Sequence, residues 1–148
     1  MKVKVKLLNE KAKVPFKTYE KDFCYDVVAT SCETIAPNVY KYGLGLAFEL
    51  EPKPLDTENV NLSIGFRPRS SVWKTGLVLS NTFGCIDEPY RGEVCAVFYH
   101  VLQDMPIYKV GERIGQIHIS VAPKIEFEVV DELSDTERGA NGYGSTGK

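Results

Sequence analysis

Apolar and polar residues alternate with a period of two along most of this chain, the signature of half-buried strands. Val3 to Leu8, Tyr25 to Thr30 and Gly43 to Leu50 read this way, as do Asn61 to Phe66, Ile107 to Val110, Ile114 to Val121 and Ile125 to Val130. Prolines, glycines and asparagines stand between them as turns. Val72 to Thr75 is the one stretch that suits a helical turn, with Gly76 to end it. Many short strands with almost no helical periodicity predict an all-β sandwich, jelly roll or small barrel.

One pair of strands frames something more specific. Leu77-Val78-Leu79 leads into Gly84-Cys85-Ile86-Asp87-Glu88-Pro89-Tyr90-Arg91-Gly92-Glu93, and Val94-Cys95-Ala96-Val97-Phe98-Tyr99 leads out. The pattern predicts a hairpin, across which Cys85 and Cys95 could face each other, with reduced thiols expected in preference to a disulfide. Asp87 sits beside an apolar residue where the strand opens into the turn, and the aromatic Tyr90 follows three residues later. A polar hairpin tip and an active-site carboxylate both fit those residues.

The end of the chain breaks the pattern. From Arg138 to Lys148, glycines are too frequent to hold a strand or helix unaided. The division is therefore a domain over 1–137 and a glycine-rich C-terminal arm over 138–148. Freed backbone amides beside Arg138, Ser145 and Thr146 are the parts of a phosphate clamp, and a plain disordered tail is the alternative. Gly144-Ser145-Thr146-Gly147-Lys148 lacks the spacing and the following helix of a nucleoside-triphosphatase P-loop.

Length and charge narrow the classes further. The 148 residues suit one domain, and 26% charged residues with a net charge of −2 show no basic excess, which argues against a nucleic-acid polymer as partner. No apolar run reaches membrane-spanning length, and Met1 to Leu7 alternates lysine with apolar residues where a signal peptide has an unbroken apolar block. The expectation is an intracellular, cytoplasmic protein without a membrane partner. Four cysteines outside any CxxC pair and two distant histidines make zinc a poor fit.

Weaker signals complete the residue reading. Arg69-Ser70-Ser71 supplies two hydroxyls and exposed amides for an anion, or simply a helix cap. Gln116, alone among apolar neighbours, is a surface strand residue or a ligand contact. Asp26 is a turn acid or a ligand to a cation through water.

In their order these segments carry a resemblance. Cys24-Tyr25-Asp26-Val27, Pro68-Arg69-Ser70-Ser71, Gly84 to Gly92, Gly111-Glu112-Arg113-Ile114-Gly115-Gln116 and Arg138 to Gly147 resemble the five ordered motifs of the trimeric dUTPase family. The resemblance implies a distorted jelly roll of the β-clip type, a homotrimer with exchange of C-terminal arms, and hydrolysis of dUTP to dUMP and pyrophosphate with Mg²⁺. It further implies Asp87 as the base that activates water, and uracil read by the main chain around Ile86 with Tyr90 against the sugar. Arg69, Ser70, Ser71, Asn81 and Gln116 become substrate contacts, and Asp26 a holder of the Mg²⁺ hydration shell. In the arm, Arg138, Gly144, Ser145 and Thr146 would reach the phosphates and Tyr143 would cover the base.

Departures from the family pattern are local. Tyr143 stands where phenylalanine is usual, Asn141 and Ser71 where glycine is, and Trp73 is bulky for its place. Arg69-Ser70-Ser71 looks partly like the related dCTP deaminases, but their catalytic glutamate falls seven residues after Tyr90, where this chain has Val97. Deamination is thereby disfavoured. A nucleotide-binding interaction module without catalysis is the third reading, with the acidic loop over 51–59 as the place for a regulatory protein partner.

Overall fold

The structure is a computed structural model that describes residues 1–51 and 59–142. The described residues form ten strands: β1 Lys2–Leu7, β2 Tyr25–Val28, β3 Ser31–Ala36, β4 Val39–Gly43, β5 Leu46–Glu51, β6 Val60–Arg67, β7 Leu77–Leu79, β8 Gly84–Asp87, β9 Cys95–His100 and β10 Arg113–Pro123. A short 3-10 turn over Ser70–Lys74 separates β6 from β7. Two four-stranded antiparallel sheets, in the orders β2-β10-β6-β8 and β3-β4-β9-β7, carry the fold, and a two-stranded β1-β5 ribbon completes it. The all-β class read from the periodicity is the class observed, in the layered form that the resemblance implied.

The core lies between these layers. Tyr42 and Phe98 are fully buried, with rings edge-to-face at 5.8 Å, and Tyr108 packs edge-on against both. The Tyr42 hydroxyl donates to the Tyr108 carbonyl at 3.0 Å, which satisfies a polar atom that burial would otherwise strand. Burial foremost, with Cys32 beside it, pushes the Tyr42 hydroxyl pKa above its ordinary range.

Several expected elements come out differently, for physical reasons. The segment Gly43 to Leu50 is not one strand. Gly45 takes φ +66°, where a Cβ would lie 2.9 Å from Ala12 Cβ, and this kink ends β4 and starts β5. The hairpin β3–β4, turning at Asn38 with φ 59°, went unread in the periodicity. The helical turn begins at Ser70 rather than Val72 and closes at Thr75, whose amide and hydroxyl both reach the Val72 carbonyl, at 2.9 and 2.7 Å. Both serines therefore lie inside the turn, and Arg69 occupies the cap position.

The two strands that flank the central hairpin pair with each other as expected, Leu79 standing opposite Phe98, but the segment between them is not simply a loop. β8 pairs with β6 in one sheet, whereas β9 pairs with β4 and β7 in the other. The pairing positions at the start of the lead-out segment are already taken: Val94 donates to Leu46 at 2.9 Å and accepts from Leu44 at 3.1 Å. Cys85 and Cys95 are both free thiols. Ile107 to Val110 forms a loop that buries Tyr108, and Ile125 to Val130 forms no strand, with Phe127 and Val129 88% and 98% exposed. A strand needs a neighbour, and the latter segment finds none among the described residues of its own chain.

Candidate active site

The site residues fall into two groups on sheet β2-β10-β6-β8. The first is built around Asp26, buried on β2 with 5% of its surface exposed. Arg113 donates to its Oδ2 at 2.8 Å, Gln116 donates to its Oδ1 at 3.0 Å, and Arg69 Nε stands 3.5 Å from Oδ1. A carboxylate so deeply placed needs such partners, since an unpaired buried charge is costly.

A strand irregularity makes this convergence work. Residues three apart on a regular strand point to opposite faces, yet Arg113 and Gln116 both reach Asp26. The register of β10 against β2 shifts between Arg113 and Gly115, which absorbs one residue and restores the shared side. Gly115 is required there because a Cβ would run into the Phe66 ring. Ser70 and Ser71 follow Arg69 directly on the 3-10 turn, exposed and half-buried respectively.

The second group lies at the far edge of the sheet. Asp87, exposed at the end of β8, lines a cleft of about 480 Å³ together with Lys41, Cys85, Ile86, Tyr90, Glu93, Val94 and Cys95. Tyr90 is fixed at both ends: its amide donates to the Asp87 carbonyl and its hydroxyl to the Glu93 carbonyl, each at 3.0 Å. Arg91 closes the same loop onto the Glu88 and Tyr90 carbonyls. Glu93 accepts the Gly45 amide proton at 2.7 Å, so its carboxylate is tied to the scaffold. Burial foremost, then Glu93, raises the pKa of the Cys95 thiol. β8 is an edge strand, so its outer main-chain donors and acceptors stay unpaired by any described strand.

The two groups do not meet within one chain. Gln116 stands opposite Arg67 and Asp87 opposite Ser63 on the intervening β6, so both face the same side of the sheet. Two strand spacings across and four residues along separate their Cα atoms by about 16 Å. Between them, His118 is buried against Phe23 and Phe83, at centroid distances of 5.5 and 5.9 Å.

The remaining expected residues are more scattered. Asn81 lies beside Gly84 at the start of β8, with its amide nitrogen 3.6 Å from where a Gly84 Cβ would stand. Arg138 folds onto its own turn, Nε donating to the Asn141 carbonyl at 3.0 Å, and does not reach either group. Tyr143, Gly144, Ser145 and Thr146 lie outside the described residues, as does 52–58 of the acidic loop. Arg113 was missed as a site residue from sequence, because strand parity places it opposite Gln116 and only the register shift brings it back.

The donor set also bears on a metal. Among the described residues, no cluster of three or more His, Cys, Asp or Glu side chains suits a metal ion. Asp26 already accepts two hydrogen bonds and faces the Arg69 guanidinium, against the roughly four acceptor positions of a carboxylate. That leaves room for one bond from a metal-bound water and fits Mg²⁺ held mainly by substrate phosphates, as is common for that ion. No helix among the described residues is long and apolar enough to cross a membrane.

Comparison with known proteins bears on the same residues. The family model dUTPase matches residues 10–147. The deoxyuridine 5'-triphosphate nucleotidohydrolase of Nautilia profundicola is 38% identical over 150 residues, covering all of both chains, and that of Clostridium novyi is 36% identical over 149 residues, covering 99% of each. In fold, the chain is similar to a Staphylococcus bacteriophage 80alpha dUTPase solved with dUpNHpp, with a TM-score of 0.80, 23% identity and 99% of each chain covered. A dUTPase from phage phi11 of S. aureus, whose structure shows coordination of a structural Mg(II) ion, aligns with a TM-score of 0.71 at 18% identity, covering 91% of this chain and all of that one.

Proposed function

The chain belongs to the dUTPase family and is a dUTP diphosphatase, hydrolysing dUTP to dUMP and pyrophosphate, and we propose that Asp87 is the base that activates the attacking water. The observation that carries this role is its placement: an exposed carboxylate at the end of an edge strand, in a cleft whose loop is held rigid by Tyr90 and Arg91. Asp87 takes a proton from water as the water oxygen attacks the α-phosphorus, and pyrophosphate departs with the electrons of the broken P–O bond. A positioned base is worth roughly 10²–10⁴-fold in rate.

The cleft supplies substrate choice. Free main-chain groups of β8 around Ile86 pair with the uracil edge, and Tyr90 lies against the deoxyribose where a 2'-hydroxyl would clash. Pairing with main chain rejects the wrong base strongly, because a mismatch leaves buried polar groups unsatisfied. Arg69, Ser70, Ser71 and Gln116 hold the phosphates, and Asn81 contacts the nucleotide from the start of β8. Bound Mg²⁺ would draw charge from the triphosphate oxygens, with Asp26 fixing its hydration shell through water.

The active site is shared between subunits. Support comes from the roughly 16 Å between Asp87 and Gln116, too far for one chain to hold base and triphosphate in one reacting geometry. We assign a homotrimer in which neighbouring chains supply the two groups. The arm from Arg138, with Tyr143 over the base and Gly144, Ser145 and Thr146 at the phosphates, closes the site from a third chain. A nucleotide substrate supports an intracellular location.

Incubation with dUTP, dCTP and dTTP plus Mg²⁺, following pyrophosphate and ammonia, tests the reading. Pyrophosphate from dUTP, with only trace turnover of dCTP and dTTP, is the expected result. Ammonia from dCTP would show a deaminase, and silence with all three a binding module.

A further inference from the structure

The substrate cleft contains a cationic side chain that no motif accounts for. Lys41, on β4, comes from the opposite sheet to Asp87 and forms the facing wall with Cys95. It is the sole cation among the cleft's lining residues, which also include the carboxylates of Asp87 and Glu93. Its ion pair is weak: Glu33 stands 4.0 Å away with its side chain 68% exposed, a contact a substrate can displace. The charge of Lys41 is nonetheless felt inside the cleft, where it pulls the Cys95 thiol pKa down against the larger upward effects of burial and Glu93. Directly across the β4–β9 register from Lys41 is Val97, half-buried and without any acceptor.

These groups create a problem of base choice that Lys41 resolves. Glu93 is held by the Gly45 amide and Asp87 faces the attacking water, and as acceptors neither can donate to a base whose position 4 is a carbonyl; cytosine carries an amino group at that position. Uracil offers a carbonyl there. An ammonium is donor only, so it bonds the carbonyl and opposes the amino group. We propose that Lys41 is a substrate-contacting specificity residue, its ammonium donating to the uracil O4 and so adding a side-chain criterion to the main-chain reading by β8. The inference rests on the dUTPase reading and concerns the same cleft.

Lys41→Met, close in length but uncharged, tests it, with folding and assembly checked by circular dichroism and gel filtration. Should that variant not fold, Lys41→Gln, whose amide both donates and accepts, carries the same comparison. The expected result is a fall of roughly tenfold or more in kcat/KM for dUTP, the scale of one charged hydrogen bond, with dCTP turnover unchanged or raised. The dUTP-to-dCTP ratio then falls by the same factor, and Lys41→Arg, which keeps donors and charge, recovers part of it. An equal loss on both nucleotides would reassign Lys41 to general attraction of the triphosphate and overturn the proposal, as would no change on either. Wild-type protein inactive on dUTP would instead overturn the dUTPase reading itself.

Discussion

Arg113 and Asp26 form a 2.8 Å ion pair across the β2–β10 boundary, and that pair anchors the polar group that Arg69 and Gln116 complete. Asp26 holds Arg69 and Gln116 in turn, so one buried carboxylate orients two of the residues proposed to contact the phosphates. Replacing Arg113 with Met leaves that carboxylate short of a partner. Because Arg113 is itself 40% exposed, the expected loss is roughly 2 kcal/mol, at the modest end for a charged hydrogen bond. Urea unfolding measures it, and a KM for dUTP that rises more than kcat falls would mark the effect on Arg69 and Gln116.

The carboxylate of Asp87 has the opposite character, exposed and aimed at the cleft. Asp87→Asn is expected to bind a non-hydrolysable dUTP analogue as the wild type does and to lose roughly 10²–10⁴-fold in kcat. Titration of the analogue together with steady-state turnover checks both halves. Near-normal turnover would remove Asp87 from the mechanism.

Removal of the arm separates fold from closure. Among the described residues, Arg138 contacts only its own turn, so a chain ending at residue 137 should assemble like the full protein and turn over dUTP poorly. Gel filtration and a pyrophosphate assay give the two readings. A monomeric or unfolded product would make the tail structural.

His118 gives the fold a sensitivity to acid. Burial, with the positive Arg67 as a second cause, lowers its pKa below the ordinary histidine value of about 6.5. Its Nδ1 is buried without a partner, while Nε2 is 3.3 Å from Arg67 and 3.1 Å from the Ser120 hydroxyl. The neutral ring is the one the fold favours. In the unfolded chain the histidine binds its proton first as pH falls, so stability is whole above about 6.5 and declines from there down to the lowered native pKa. The urea midpoint of wild type should drop on acidification through that window, and that of His118→Gln should drop less.

How much of this was readable beforehand differs element by element. The alternation exposed most strands, and the acid-then-aromatic pattern around Asp87 marked the cleft, because both depend on residues near in sequence. The partner of β8 was not readable: pairing with β6 instead of β9 is decided by Val94, whose main chain is claimed by Leu44 and Leu46 some fifty residues earlier. Arg113 was hidden by a single absorbed residue, since parity along a strand is meaningful only while the register is regular. Ile125 to Val130 carries a strand's pattern without a strand's partner among the described residues.

The distance between Asp87 and Gln116 has a genetic meaning as well. If base and phosphate grip come from different chains, a copy lacking Asp87 and a copy lacking Gln116 carry complementary defects. Mixed and reassembled, two inactive proteins would yield hybrid oligomers in which some sites draw both intact halves and turn over dUTP. A single damaged allele would likewise poison only those sites that borrow from it.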